Sequence, residues 1–359
     1  MLAIYIQLKY SNDKCVISHV MKEVRMCTCL FSELGPVLEE AYRLEATDIH
    51  LEEHQPVYAR DASGLHELSY KADTIMIDEL LQLCHILSRE CWCSVDEAFS
   101  YKGTRIRAHL YKSNDAVCGT LRILSHKELV LGDTEDDLLL KSFCQYRDGL
   151  ILTCGPTGSG KSYTMASCLE FINQTMAKHI VTLEDPIEFQ FTNQKGLIHQ
   201  RQLGIHINSM AEGIRDALRE DPDVIMVGEL RDKETLEAAL HASETGHLVF
   251  ATMHTQRSVL AINRIISMFS AEQQDEIRSQ LSQVLRVVLC QRLFRLEHKF
   301  LVPKDILINT RAVANLIRSK KEAQIISIQE TQPPMQTLEM AVNKLALRYG
   351  QVDLFKELL

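Results

Sequence analysis

No run in this chain approaches the roughly 18 consecutive apolar residues that a membrane span needs, so no transmembrane helix is predicted. The opening residues "MLAIYIQLKYSNDK" lack a basic lead, a long apolar core and a small-residue cleavage site, so no secretory signal is predicted either. The chain is expected to stay in the cytosol. Eleven cysteines are present, yet no C-x-x-C pair occurs; the closest spacings are C-x-C, at Cys27/Cys29 and Cys91/Cys93. A tetracysteine zinc site is therefore disfavoured, and most thiols are expected to be small buried hydrophobes or idle surface groups. Positive charge is in short supply, with 39 Lys and Arg against 48 Asp and Glu and a net charge of −9. That balance argues against a nucleic-acid groove. Internal repeats and low-complexity tracts are also absent.

What is present is a chain of 359 residues, long enough that two domains are expected. Residues 1–30 show no sustained periodicity and read as an extension, or as the product of a start codon placed upstream of the true one. Residues 31–125 have an α+β pattern. "LFSELGPVLEEAYRL" and "DELLQLCHILS" are helix-like, while "DIHLEE", "TRIRAHLYKS" and "AVCGTLRIL" read as strands. The polar, acidic "HKELVLGDTEDD", residues 126–137, is the expected linker. From 138 onward, short apolar runs ("GLILTC", "HIVTLED", "DVIMVGEL", "HLVFATMH") alternate with helix-length segments. That alternation predicts an α/β domain with a parallel sheet covered on both faces. After about 270 the pattern is mostly helical, in "EIRSQLSQVLRVVLCQRLFRL", "AVANLIRSKK" and "MQTLEMAVNKLALRYG".

The clearest chemistry lies in "GPTGSGKS", residues 155–162, which matches G-x-x-x-x-G-K-[ST] between a predicted strand and a predicted helix. Gly155, Pro156, Thr157, Gly158, Ser159 and Gly160 would wrap phosphates with backbone N–H groups, aided by the following helix N-terminus. Lys161 would reach the β- and γ-phosphates, and the Ser162 hydroxyl would hold Mg²⁺; Tyr163 follows directly. "DVIMVGE" delivers Glu229 to the same sheet edge, with Gly228 where many such enzymes place a metal-bridging Asp. Glu229 is expected to serve the metal instead, through water. "TLEDPIEF" brings Glu184, Asp185 and Glu188 to a strand end, where three carboxylates repel unless metal, water or arginine sits among them. One of them could orient and deprotonate the attacking water. "GHLVFATMH" frames a strand with His247 and His254, about 20 Å apart along a strand, which is too far to share a metal. Arg105, Arg107 and Arg122 read either as a solvated sheet face or as groups that stabilise γ-phosphate charge.

Taken in order, "GPTGSGKS", "EDPIEF", "ALREDPDVIMVGELRD", "ETGHLVFATMHT" and "MQTLEMA" resemble the PilT family, retraction motors of type IV pili within the secretion-ATPase superfamily. The likeness spans roughly 31–345. It implies a RecA-like P-loop ATPase core, a smaller PAS-like first domain and a helical C-terminal region. It also implies a hexamer that binds MgATP and meets an inner-membrane pilus platform protein, with no nucleic-acid partner. By this resemblance, Lys161 and Ser162 bind MgATP, Glu188 activates water and Glu229 is the second essential carboxylate. His247 and His254 are the histidine-box residues, and Arg105, Arg107 and Arg122 match arginines that the first domain turns toward nucleotide. Tyr163 stands where the family usually has Thr. "AVANLIRSKK" is similar to a signature associated with retraction: Ala312, Asn315, Leu316, Ile317, Arg318 and Lys321 match, while Ala314 and Ser319 depart from it. Two alternatives stand beside this reading. One is an extension or type II secretion ATPase with the same chemistry, and the other is a nucleotide-gated scaffold that does not hydrolyse.

Overall fold

A computed structural model describes residues 31–61, 63–86, 88–90, 92–124, 128–296 and 299–349. The expected extension, residues 1–30, lies outside the described residues. The chain divides into two compact units, Met1–His126 and Lys127–Leu359.

In the first unit the strands are β1 (Asp48–Glu52), β2 (Pro56–Arg60), β3 (Leu65–Lys71), β4 (Ser94–Tyr101), β5 (Thr104–Ser113) and β6 (Ala116–Ile123). They form one antiparallel sheet in the order β3-β2-β1-β6-β5-β4. Two helices, Leu34–Arg43 and Thr74–Leu83, bury Leu34, Val37, Leu38 and Ala41, and Met76, Ile77, Leu80 and Leu81, against it. The i, i+3, i+4, i+7 spacing of the first set is what puts those side chains on one helix face. Alternation along β5 sends Ile106, Ala108 and Leu110 into this core and leaves Arg105 and Arg107 on the other face.

In the second unit the strands are β7 (Gly149–Cys154), β8 (His179–Glu184), β9 (Leu197–Gln202), β10 (Val224–Val227), β11 (Leu248–Met253) and β12 (Leu285–Gln291). After the short hairpin strands β13 (Phe294–Leu296) and β14 (Lys299–Leu301) comes β15 (Lys304–Ile308). The main sheet runs β15-β12-β7-β11-β10-β8-β9, parallel throughout except for the edge pair β12–β15. Strands β7, β10 and β11 are buried at every position, as a sheet covered on both faces demands. Leu150 and Leu152 join the core made with helices Met210–Ala217, Lys233–Glu244 and Ser258–Ser267. Ile151 joins the opposite core, made with helices Glu135–Phe143 and Lys161–Thr175.

Two expectations change here. Residues 135–137 are the first turn of helix Glu135–Phe143 and not linker, because Thr134 and Asp137 form a reciprocal capping box that starts the helix. The stretch "EIRSQLSQVLRVVLCQRLFRL" is helical only through Val284; "LRVVLCQ" is strand β12, inserted beside β7. Its β-branched pair Val287 and Val288 suits a strand, and fully buried strands carry no polar alternation to distinguish them from helix. The C-terminal region is otherwise helical, in Arg311–Arg318, Ile325–Thr331 and Leu338–Tyr349. Gln329 anchors it: its buried amide donates to Asp305 Oδ1 at 2.6 Å and to the carbonyls of Ile306 (3.2 Å) and Gln336 (2.9 Å).

Candidate functional site

Because β7, β8, β10 and β11 are parallel, their carboxyl ends share one edge, and the residues following each strand converge there. Gly155–Gly160 follow β7 and lead into helix Lys161–Thr175. Gly155, Gly158 and Gly160 all have positive φ, of 145°, 78° and 84°. A Cβ at Gly155 would overlap the Gln291 carbonyl oxygen and Ser159 Oγ, so only glycine fits that turn. Gln291, at the end of β12, donates from Nε2 to the Ser159 carbonyl at 2.8 Å and braces the loop from its neighbouring strand.

Lys161 is buried, and its Nζ donates to the carbonyls of Gly155 (2.8 Å) and Pro156 (3.0 Å), an ammonium held within the loop. Burial lowers its pKa, and the nearby carboxylates of Glu229 and Glu188 push the other way. Those carboxylates therefore stand close enough to act on the Lys161 charge, although they come from segments 27 and 68 residues downstream. Ser162 is exposed at the helix N-terminus. Tyr163 packs edge-on against Phe189 at 6.3 Å and donates its hydroxyl to the Glu128 carbonyl at 2.8 Å.

Glu229 is half-buried between an arginine and a histidine. Arg231 Nε lies 2.8 Å from one of its oxygens, and His254 Nε2 lies 3.4 Å from the other. Arg231 also reaches Asp185, at 3.6 Å, and so supplies the arginine that a cluster of carboxylates needs. The Thr252 hydroxyl donates to the Gly228 carbonyl and ties β11 to this turn. A Cβ at Gly228 would come within 3.2 Å of the Leu183 carbonyl oxygen, so an Asp in that place would be crowded.

The three carboxylates of "EDPIEF" separate. Asp185 is exposed, and Glu188 is half-buried near Lys161. Glu184 is buried, accepting from Thr182 Oγ1 at 2.6 Å and Gln200 Nε2 at 3.1 Å. Burial pushes its carboxyl up to about 7. Two glutamines of β9 stitch the loop around Glu188. Gln202 Oε1 accepts from Ile187 N–H at 3.2 Å, and Gln200 binds Phe191 N–H (3.0 Å) and the Phe189 carbonyl (2.7 Å).

The structure does not bring His247 into this group. It precedes β11 at the amino end, where its carbonyl accepts from Gly149 N–H at 3.0 Å, and its Nδ1 lies 3.1 Å from the Ala242 carbonyl and from Thr245 Oγ1. The length of β11, at about 3.3 Å per residue, separates it from His254 and the phosphate loop of the same chain. In the first unit, Arg107 and Arg122 are cross-strand partners, Arg105 shares their face, and Arg107 and Arg122 are paired with Asp96 and Asp48. Arg231, Gln291, Gln200 and Gln202 were not expected from sequence. Arg231 has a signal, lying two residues past Glu229 in "GELRD", whereas the glutamines act from strands far along the chain.

The donor set fits a magnesium nucleotide: a glycine cradle, a buried lysine, a helix N-terminus with an exposed serine hydroxyl, and a half-buried carboxylate across from it. Comparison with known proteins agrees. Residues 115–346 match the family described as "Type II/IV secretion system protein". The type IV pilus retraction ATPase PilT of Pseudomonas aeruginosa is 36% identical over 312 residues, which cover 84% of this chain and 91% of that one. A twitching motility protein of Neisseria gonorrhoeae is 40% identical over 252 residues, covering 69% of this chain and 67% of that one. A crystal structure of the pilus retraction motor PilT with bound ADP superposes with a TM-score of 0.78 at 37% identity, covering 87% of this chain and 92% of that one.

Proposed function

Since the chain belongs to the type II/IV secretion system protein family and, within it, to the PilT ATPases, we propose that it works as a homohexameric motor whose ATP hydrolysis powers retraction of type IV pili. The convergence of Lys161, Glu188 and Glu229 at one sheet edge carries the chemical half of this reading. Lys161 holds the phosphates and neutralises developing charge, and Glu188 orients and deprotonates the attacking water. Glu229, steadied by Arg231 and His254, would hold Mg²⁺ through water together with Ser162. Mg²⁺, when bound there, would supply neutralisation of phosphate charge. Arg105, Arg107 and Arg122 are assigned to the nucleotide by their family match. Charge reversal at any of them should lower turnover in a protein that still folds.

The mechanical half rests on helix Arg311–Arg318. Val313 and Ile317 are buried and Thr310 caps the helix, while Arg311, Asn315 and Arg318 are exposed together on the opposite face. That polar face makes no contribution to the core and is available to pass force to a neighbour. We assign the motor to the cytoplasmic face of the inner membrane, where it meets a pilus platform protein. Among the described residues no helix is long and apolar enough to cross a membrane. The test is a strain lacking the protein, complemented with wild type or with Lys161→Ala. Cells that are piliated but unable to twitch, rescued by wild type alone, support retraction. Cells without pili point to the extension motor, and rescue by a Lys161→Ala protein that binds but does not hydrolyse ATP points to the scaffold.

A further inference from the structure

At the end of the sheet away from the phosphate loop, β8 and β9 carry a second constellation. His179 opens β8, and His199 lies on β9, the last strand in the sheet order. The register pairs His179 with Leu197 and Val181 with His199, so the two imidazoles stand diagonally on one face. His179 Nε2 and His199 Nδ1 are 3.0 Å apart, and the rings meet at 81°. His179 is half-buried and His199 is exposed.

That spacing is the bite of a metal chelate. At metal–nitrogen bonds of about 2.05 Å, two ligands subtending about 90–110° stand about 2.9–3.4 Å apart. The second observation concerns His179 Nδ1, which lies 3.2 Å from the Asp221 carbonyl oxygen. Donating Nδ1–H to that carbonyl fixes the tautomer and leaves the Nε2 lone pair directed at His199, the arrangement by which ligating histidines are usually oriented. The backbone is held as well, since His179 N–H donates to Asp223 Oδ2 at 2.9 Å. Without metal, His199 Nδ1–H donates to His179 Nε2. With metal, His199 takes its Nε2–H tautomer and offers the Nδ1 lone pair, with no net release of protons from the neutral rings.

We propose that His179 and His199 form a two-histidine site for a divalent transition metal of the Zn²⁺, Ni²⁺ or Cu²⁺ class, with water completing the coordination. Among the described residues, no group of three or more His, Cys, Asp or Glu side chains is gathered as a metal site. The ion held by this pair is accordingly exchangeable, unlike a closed structural zinc. Its binding clips the edge strand β9 to β8. The phosphate loop follows the opposite ends of the strands, so neither imidazole belongs to the nucleotide site.

The test uses tag-free, chelator-stripped, nucleotide-free protein titrated with Zn²⁺ or Ni²⁺ in competition with a chromophoric chelator. One ion per chain is expected, with binding reversed by excess EDTA. His199→Ala and His179→Ala should each weaken binding roughly tenfold or more. Added metal should raise the melting temperature of the wild type and leave that of His199→Ala unmoved, with ATP turnover unchanged in that variant. Because His199 is exposed, its alanine variant keeps the test decisive even if His179→Ala misfolds. Equal binding by wild type and His199→Ala, or no saturable binding by the wild type, overturns the proposal.

Discussion

Replacing Glu184 by Gln should change the pH dependence of stability more than stability itself. Burial raises the Glu184 carboxyl from 4.5 to about 7; hydrogen bonds from Thr182 and Gln200 pull it down, and Glu188 pushes it further up. A folded-state pKa above the unfolded one means that the native protein binds the extra proton. The stabilising contribution is then fully present below about pH 4.5 and is lost as pH rises through about 7. A shift of about 2.5 units corresponds to about 3 kcal/mol. The Gln amide keeps an oxygen for Thr182 and Gln200, but its NH₂ group loses roughly 1 kcal/mol for want of a partner. At about pH 8.5 the variant should therefore be more stable than wild type by about 2 kcal/mol, which is about 4–8 °C in melting temperature for a unit of this size. At about pH 5 the order should disappear or reverse slightly. Thermal melts of nucleotide-free protein at the two pH values read this as a difference of differences, so groups common to both proteins cancel. If the melting-temperature gap between variant and wild type is the same at both pH values, Glu184 does not titrate as its burial requires.

Lys161→Ala should abolish ATP turnover, while Glu188→Ala and Glu229→Ala should lower it on the order of a hundredfold or more with nucleotide still bound. Near-normal turnover in Glu188→Ala, measured by phosphate release, would move the base role to Asp185. Ile317 is fully buried, so Ile317→Ala should destabilise by about 2–5 kcal/mol in denaturant melts. Arg318→Ala on the exposed face should stay within about 0.5 kcal/mol of wild type and keep its ATPase activity, yet abolish twitching. A normally twitching Arg318→Ala strain at wild-type protein abundance would reduce that helix to packing. Gln291→Ala should weaken nucleotide affinity and also lower the melting temperature, because its buried amide braces the Ser159 carbonyl of the phosphate loop.

The phosphate loop was legible in the sequence because strand, glycine turn and helix are consecutive and each announces itself locally. The exposed face of Arg311–Arg318 was legible for the same reason, since helical periodicity alone separates Val313 and Ile317 from Arg311, Asn315 and Arg318. Strand β12 was not legible: a fully buried strand has no alternation, and its pairing partner β7 lies more than 130 residues upstream. Gln291 and its bond to Ser159 were hidden with it. The acidic box shows the same division at the scale of one loop. Sequence placed three carboxylates at a strand end, but only the sheet order could bury Glu184 under Gln200, leave Glu188 half-buried on the edge shared with Lys161 and leave Asp185 to Arg231. Their spacing in "GHLVFATMH" already separates His247 and His254, but only the parallel sheet order decides that His254 is the one at the edge with Glu229. Local signals choose the elements; the pairing of strands distant in sequence chooses which side chains meet, and that choice depends on burial summed over the whole sheet.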